Sequence, residues 1–385
     1  MVSKIANNKE LGLSFIKVAY GIFLTYSLVG QIEIFNMPLK YLTFVAIGIL
    51  VFNFFVQYSS APLGSVVGYI ALMAVSLIHS YHSDDFGFFK LMLFAGSMRC
   101  INLKSIIKFD LYLRIILISL IVLLCNIGIA TDVVIEYEGM VRHSLGFTNP
   151  NTLGIAVFVL VCDIFYVSEL KLNLALLTII SAIVIWLYAV ARSRTSVYAI
   201  LAIMFFSIMY RVFKKFFKTK FAKLLYFAVP LIASGITYIV VDSYARHQQF
   251  GTDVNEFLSG RVSAIAIFTN LLTPTFWGQP IGETLDRTLD NTYAFVLYDL
   301  GILVSILFII FYFKTVRSNF KYGNIPLIIT LIAFLIFGLS EHLWINVDYN
   351  VFMLAFCYDP SLDDSINRKP YESVLVDDNV SKKYI

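Results

Sequence analysis

The sequence predicts an all-α fold: a polytopic membrane bundle of about twelve transmembrane helices (ten to twelve) with a large external loop carrying short amphipathic helices. Three observations predict it. Of 385 residues, 59% are hydrophobic and 14% charged, with a mean hydropathy of +0.80, whereas a soluble domain is nearer a quarter charged. Apolar runs of roughly twenty residues, the length a helix needs to cross a bilayer, recur between short polar gaps. These runs are continuous rather than alternating, which excludes a membrane β-barrel, and the composition excludes a soluble enzyme.

The first ten residues are polar and no small-residue cleavage site follows the first apolar run, so that run reads as a retained span rather than a signal peptide. Candidate spans lie at 11–30, 38–57, 62–79, 86–99, 111–130, 151–168, 173–191, 195–213, 223–241, 291–313, 325–340 and 343–358. The fourth and the last are short and interrupted by Lys90 and Asp348, which is why the count ranges downward. Residues 1–358 read as one membrane domain and 359–385 as a polar cytoplasmic tail. Cys100, Cys125, Cys162 and Cys357 lie in or beside apolar runs without CxxC spacing and read as small hydrophobes. The spans are poor in charge, Lys17 and Lys90 excepted, and no internal duplication is visible.

The polar stretch at about 242–290 is too long for a simple connector, and loops of that length usually carry function. Within it, residues 262–272 have helical apolar spacing, fit for a helix on the membrane surface or packed against the bundle.

Charge placement orients the chain. Basic gaps around Arg99, Lys104 and Lys108, at 211–223 and at 314–323, in which lysine outnumbers arginine, belong in the cytoplasm by the positive-inside rule, together with both termini. The opposite gaps carry a different cation. Apart from Lys40, they hold Arg142, Arg192, Arg194, Arg246, Arg261 and Arg287. Guanidinium keeps its charge and binds phosphate oxygens through a planar fork, so arginines gathered on one face suit a diphosphate ligand. Taken singly, each is equally well explained by a nearby acid or by lipid head groups. As for a metal, the nearest candidate is Asp84–Asp85 beside His82, better read as a solvated turn, and neither a P-loop nor a dinucleotide fingerprint is present.

These residues stand in an order that resembles the O-antigen and capsular polysaccharide polymerases (Wzy-type), relatives of the O-antigen ligases. The features are RHSLGFTNPNTLGIAVF at 142–158, ARSRTSVYAIL at 191–201, LSGRVSAIAIF at 258–268, LDNTYAFVLYDLGIL at 289–303 and GLSEHLWINVDYN at 338–350. The resemblance covers 140–350 by motif and the earlier spans by hydropathy alone.

It implies a glycosyltransferase of the bacterial cytoplasmic (inner) membrane. Such an enzyme joins undecaprenyl-diphosphate-linked oligosaccharide repeat units at the outer face, without metal or cofactor. Its partners are the lipid-linked oligosaccharides, membrane lipids and a chain-length regulator protein; nucleic acid is not among them. His342, Glu341, Arg261 and Arg194 become the candidate catalytic groups. The arginines stabilise the departing diphosphate, and His342 or Glu341 takes the proton of the attacking hydroxyl. Candidate substrate-binding residues are Arg142, His143, Arg192, Arg246, His247 and Asn291. A helix-capping turn accounts equally well for Ser340-Glu341-His342. A ligase that transfers finished glycan to lipid A core, a flippase or transporter of lipid-linked oligosaccharide, and a non-enzymatic assembly factor remain alternatives.

Overall fold

The structure, a computed structural model, describes residues 2–58, 63–98, 102–137, 139–171, 173–281, 289–358 and 360; side chains are described from Glu10 onward, except that of Tyr137. It is mostly helical. Five helices open the chain: α1 (Val2–Val29), α2 (Glu33–Tyr58), α3 (Leu63–Ser83), α4 (Gly87–Ser97) and α5 (Leu103–Asn126). An antiparallel hairpin, β1 (Val134–Tyr137) and β2 (Met140–His143), interrupts them. Then come α6 (Pro150–Val167), α7 (Leu174–Val190), α8 (Arg194–Val212) and α9 (Lys220–Ala245). The polar stretch contributes α10 (Gln249–Phe257) and α11 (Arg261–Leu271). Last are α12 (Thr292–Tyr298), α13 (Gly301–Lys321) and α14 (Ile325–Phe337).

Among the described residues, seven helices (α1, α2, α3, α6, α8, α9 and α13) are long and apolar enough to cross a membrane, and α4, α7, α11 and α14 are apolar but shorter. The expected count of about twelve is therefore not confirmed. An all-α bundle fits nonetheless: α2 and α3 turn large apolar side chains outward, Phe44 at 62% and Phe55 at 66% exposure among them, a wasteful arrangement in water and a suitable one in lipid. The centre is α14, apolar all round, as a helix surrounded by protein must be. Phe334 meets Phe158 of α6 edge-on with ring centroids 5.0 Å apart.

Two expected spans take another form. The run 291–313 breaks between α12 and α13, where Gly301 adopts φ +85° and a Cβ would lie 2.3 Å from the Gly278 backbone nitrogen. Only glycine permits that approach. The run 343–358 is not a spanning helix. It is irregular up to Asn350, whose side chain accepts from the Phe352 amide and starts a 3-10 turn at Val351–Phe356. Asp348 is drawn instead to Lys90 of α4, while Trp344, 1% exposed, packs against Phe308 and Phe356. The segment is thus plugged into the core.

The expectation of charge-poor spans also fails. Asp110 and Arg114 of α5 and Asp163 of α6 are each 0% exposed. Arg114 donates to Asp110 at 3.0 Å and to the Tyr349 carbonyl at 3.0 Å, its Nε lies 3.8 Å from Asp163, and the Tyr20 hydroxyl donates to Asp110 at 2.9 Å. Hydropathy averaged along a span hides single charges of this kind.

Candidate ligand pocket

The pocket is assembled from four separated parts of the chain. The first is the hairpin, in which Arg142 faces Ile135 across the ladder. Successive strand residues point to opposite faces, so Arg142 and His143 diverge. The ribbon is tied down by Asp132, whose carboxylate accepts from the Ser144 and Leu145 amides at 2.9 and 2.8 Å and bonds His143 at 2.6 Å. Burial works against the charged form of Asp132, but His143 and those amides prevail and lower its pKa. Asn149 then caps α6, with Pro150 at the first helical position, the favoured N-terminal pairing. Asn151, one residue further, accepts from Arg142 Nη2 at 2.5 Å, and Arg142 Nε donates to the Ala191 carbonyl at 3.0 Å.

The second part is the turn between α7 and α8. Arg192 takes φ +48°, Ser193 is buried, and Arg194 begins α8. That turn lies against α6 because Gly154 has no side chain: a Cβ there would meet Ser193 Oγ at 2.4 Å and Ser196 Oγ at 2.6 Å. Arg192 places Nη1 3.4 Å from Met140 Sδ, while its Nε is buried with no hydrogen-bond partner among the described residues.

The third part is Arg261, the first residue of α11. The helix was expected on the membrane surface or against the bundle, and it takes the second course, burying Val262, Ile265, Ala266 and Phe268 beside Val240 and Val241 of α9. Arg261 is only 13% exposed, donates to Glu341 at 2.6 Å and lies 3.5 Å from Asp290.

The last part is the turn after α14. Glu341, 6% exposed along its side chain, also accepts from Thr195 at 3.2 Å, and its carbonyl accepts from Thr292 at 2.7 Å. Burial raises the Glu341 pKa, with Arg261 opposing. His342 stacks on Phe295 at 4.9 Å and reaches Asp290 at 3.6 Å. Burial disfavours its charged form, but Asp290, Glu341 and Asp85 outweigh that and its pKa rises.

The first three parts and Asp290 line a cavity of about 250 Å³, with Arg142, Arg192, Arg194, Arg261, Asn151 and Asp290 in its lining, and the turn after α14 supports it through Glu341 on Arg261 and Thr195. Four guanidinium groups face one carboxylate in that lining. The crowding is felt at Arg142, whose pKa is lowered by burial first and then by Arg261 and Arg194. A concave site with such an excess of fixed positive charge suits a ligand bearing more than one negative charge.

Of the residues singled out in the sequence, Arg142, Arg192, Arg194 and Arg261 meet here, with Glu341 paired to Arg261. His342 stands behind Asp290, outside the lining. The structure does not bring the rest into the lining. His143 turns away to Asp132. Arg246 pairs with Asp242 at 2.9 Å with 66% of its side chain exposed, one turn apart at the end of α9, and His247 beside it is exposed at φ +56°. Asn291 is 2% exposed and serves as the cap of α12, bonding the Ala294 amide at 2.9 Å and the Leu339 carbonyl at 2.8 Å. Arg287 lies outside the described residues. Asp85 closes a turn onto the Gly87 amide at 2.6 Å. Asp290 and Thr195 were not singled out, although both stand inside the quoted motifs; only the fold shows that they face the arginines.

No protein-family model, no curated protein and no solved structure matches the chain.

Proposed function

We propose that the chain is a membrane glycosyltransferase of the O-antigen or capsular polymerase kind, and that its pocket takes the diphosphate of a lipid-linked oligosaccharide. The observation that carries this reading is the convergence of Arg142, Arg192, Arg194 and Arg261 on one cavity. An apolar cavity of about 290 Å³ adds to it, lined in part by Thr237, Val241, Ile265, Thr269, Thr292 and Val296. Arg261, Ile265 and Thr269 recur every four residues and share one face of α11. A head group at Arg261 therefore has an apolar channel one turn further along the same helix, the layout that an anionic lipid requires.

In the reaction, an acceptor hydroxyl attacks the anomeric carbon. A new carbon–oxygen bond forms as the bond to the diphosphate oxygen breaks, and the diphosphate leaves with that electron pair. The arginines stabilise its charge. The hydroxyl proton passes to Asp290, the carboxylate that lines the pocket, while His342 holds Asp290 in place. Sequence reasoning gave the base to His342 or Glu341. Glu341 is engaged by Arg261, and a histidine of raised pKa makes a poorer acceptor near neutral pH. We place this chemistry at the outer face of a bacterial cytoplasmic membrane, with both termini inside.

A transporter or flippase of lipid-linked oligosaccharide is the second reading, favoured by the buried Asp110–Arg114–Asp163 cluster, since ionisable groups inside a bundle often mark translocation paths. A deletion strain separates the readings. Single repeat units added to core without polymer support the polymerase, polymer retained on its carrier supports the ligase, and repeat units trapped on the cytoplasmic side support the flippase.

A further inference from the structure

A cavity that the arginine pocket leaves unexplained lies at the opposite end of the bundle. The ends are fixed by the antiparallel packing of α9 and α13. Asn291, beside the pocket, donates to Thr237 late in α9 at 3.3 Å, whereas Lys223 near the start of α9 sits 5.2 Å over the ring of Phe320 near the end of α13. At that second end a cavity of about 740 Å³ opens between the two helices, with Lys314, Arg317 and Lys321 at its rim and Phe227, Phe313 and Phe356 in its wall.

The three cations are spaced three and four residues apart, so one face of the last two turns of α13 presents them together. All three are exposed, and among the described residues no carboxylate pairs with any of them; Lys321 leans over the Tyr322 ring at 5.6 Å. This differs from the arginine pocket, where Asp290 and Glu341 offset part of the charge. The wall is apolar and aromatic, and Phe227 and Phe313 meet edge-on at 5.2 Å. A free phosphate has no use for such a wall. A phosphate that arrives attached to an acyl glycerol does, because its first methylenes lie against the rings while its charge meets the cations at the membrane boundary.

We infer that this cavity is a binding site for the head group of an anionic phospholipid, separate from the pocket at the other end. The site is independent of the glycosyltransferase reading, since it requires only that the helices lie in a bilayer.

The test uses the purified full-length protein in neutral detergent, titrated with phosphatidylglycerol, with phosphatidylcholine, or with inorganic phosphate, reading the thermal unfolding midpoint. Phosphatidylglycerol should raise the midpoint saturably, and the other two should not. The K314Q/R317Q/K321Q variant should weaken that apparent affinity by about a hundredfold, at about fivefold per cation removed. The K214Q/K215Q/K220Q variant removes the same charge at the same end but outside the cavity, and should stay within about threefold. Equal losses in the two variants would mean diffuse attraction to a basic surface and overturn the site. Equal protection by inorganic phosphate would overturn the lipid assignment. So would a requirement for D363N/D364N before any lipid binds, which would make the chain's own acidic tail the occupant. If the triple cavity variant fails to fold, R317Q and R317K decide: R317Q must lose about fivefold and R317K must recover most of it, and no loss in R317Q overturns the proposal.

Discussion

Replacing Arg261 with alanine strikes stability and activity at once, and the structure allows the two effects to be separated. Arg261 is 13% exposed and its partner Glu341 6%. Removing one member of so buried a pair leaves the other uncompensated, at a cost of about 3–5 kcal/mol. Burial already raises the Glu341 pKa, so in the variant that carboxyl takes up a proton and recovers part of the loss. Transfer should fall by roughly a hundredfold to a thousandfold, about 2.7–4 kcal/mol, if the guanidinium stabilises the leaving diphosphate. The Arg261→Ala/Glu341→Gln double variant removes the stranded charge. Its thermal midpoint in detergent should return toward wild type while polymer formation in membranes stays depressed. Arg261→Lys, which keeps the charge but loses the fork, should be stable and still impaired. A double variant that is both stable and fully active would refute the ligand role, leaving Arg261 only to neutralise Glu341.

Four further outcomes are expected. Asp290→Asn should slow transfer by about 10²–10⁴ with donor binding retained, and His342→Ala by less, because only Asp290 lines the pocket; the order is read from single-turnover rates. His342 has a raised folded-state pKa, so its contribution to stability is fully present below its ordinary value of 6.5 and is lost as pH rises through the folded value. Melting midpoints from about pH 5 to about pH 9 should show this decline, and His342→Gln should flatten it. Arg246→Ala and His247→Ala should leave polymer length unchanged and shift stability by no more than about 0.5 kcal/mol, since neither touches the pocket. Gly154→Ala should lower stability by about 1–3 kcal/mol and reduce activity with it, because the added methyl drives Ser193, and so Arg194, away from α6; a melting curve and a polymer gel check both.

What the sequence made legible is what short-range chemistry determines. The apolar run expected to span at 151–168 is α6 to within a residue. The apolar spacing at 262–272 becomes α11 to within a residue. Guanidinium chemistry drew attention to Arg142, Arg192, Arg194 and Arg261, which the fold then gathers. What remained hidden depends on distant partners. Arg246 looks like the other arginines until Asp242, one turn back, is seen to hold it. That Asn291 caps α12 through the Ala294 amide was not visible either. The run 343–358 has enough apolar residues for a short span, but Lys90 and Arg114, far away in the chain, hold Asp348 and the Tyr349 carbonyl in an irregular path. The hairpin that presents Arg142 has strands of only four residues, too short to leave a periodic signal.

The buried charges also bear on how the chain enters a bilayer. A lone arginine or aspartate at the centre of an inserting helix costs about 2.5–3.5 kcal/mol. Asp110 and Arg114 are four residues apart on α5 and bonded at 3.0 Å, so that helix carries its two opposite charges already neutralising each other. Asp163 has no such companion on α6, and among the described residues its nearest cation is Arg114, 3.8 Å away on the preceding helix. The earlier helix is thus internally compensated, while the later one reaches charge balance only by docking against it. The order of synthesis, α5 before α6, delivers the self-sufficient member first, and an Arg114→Leu change would strand two aspartates rather than one.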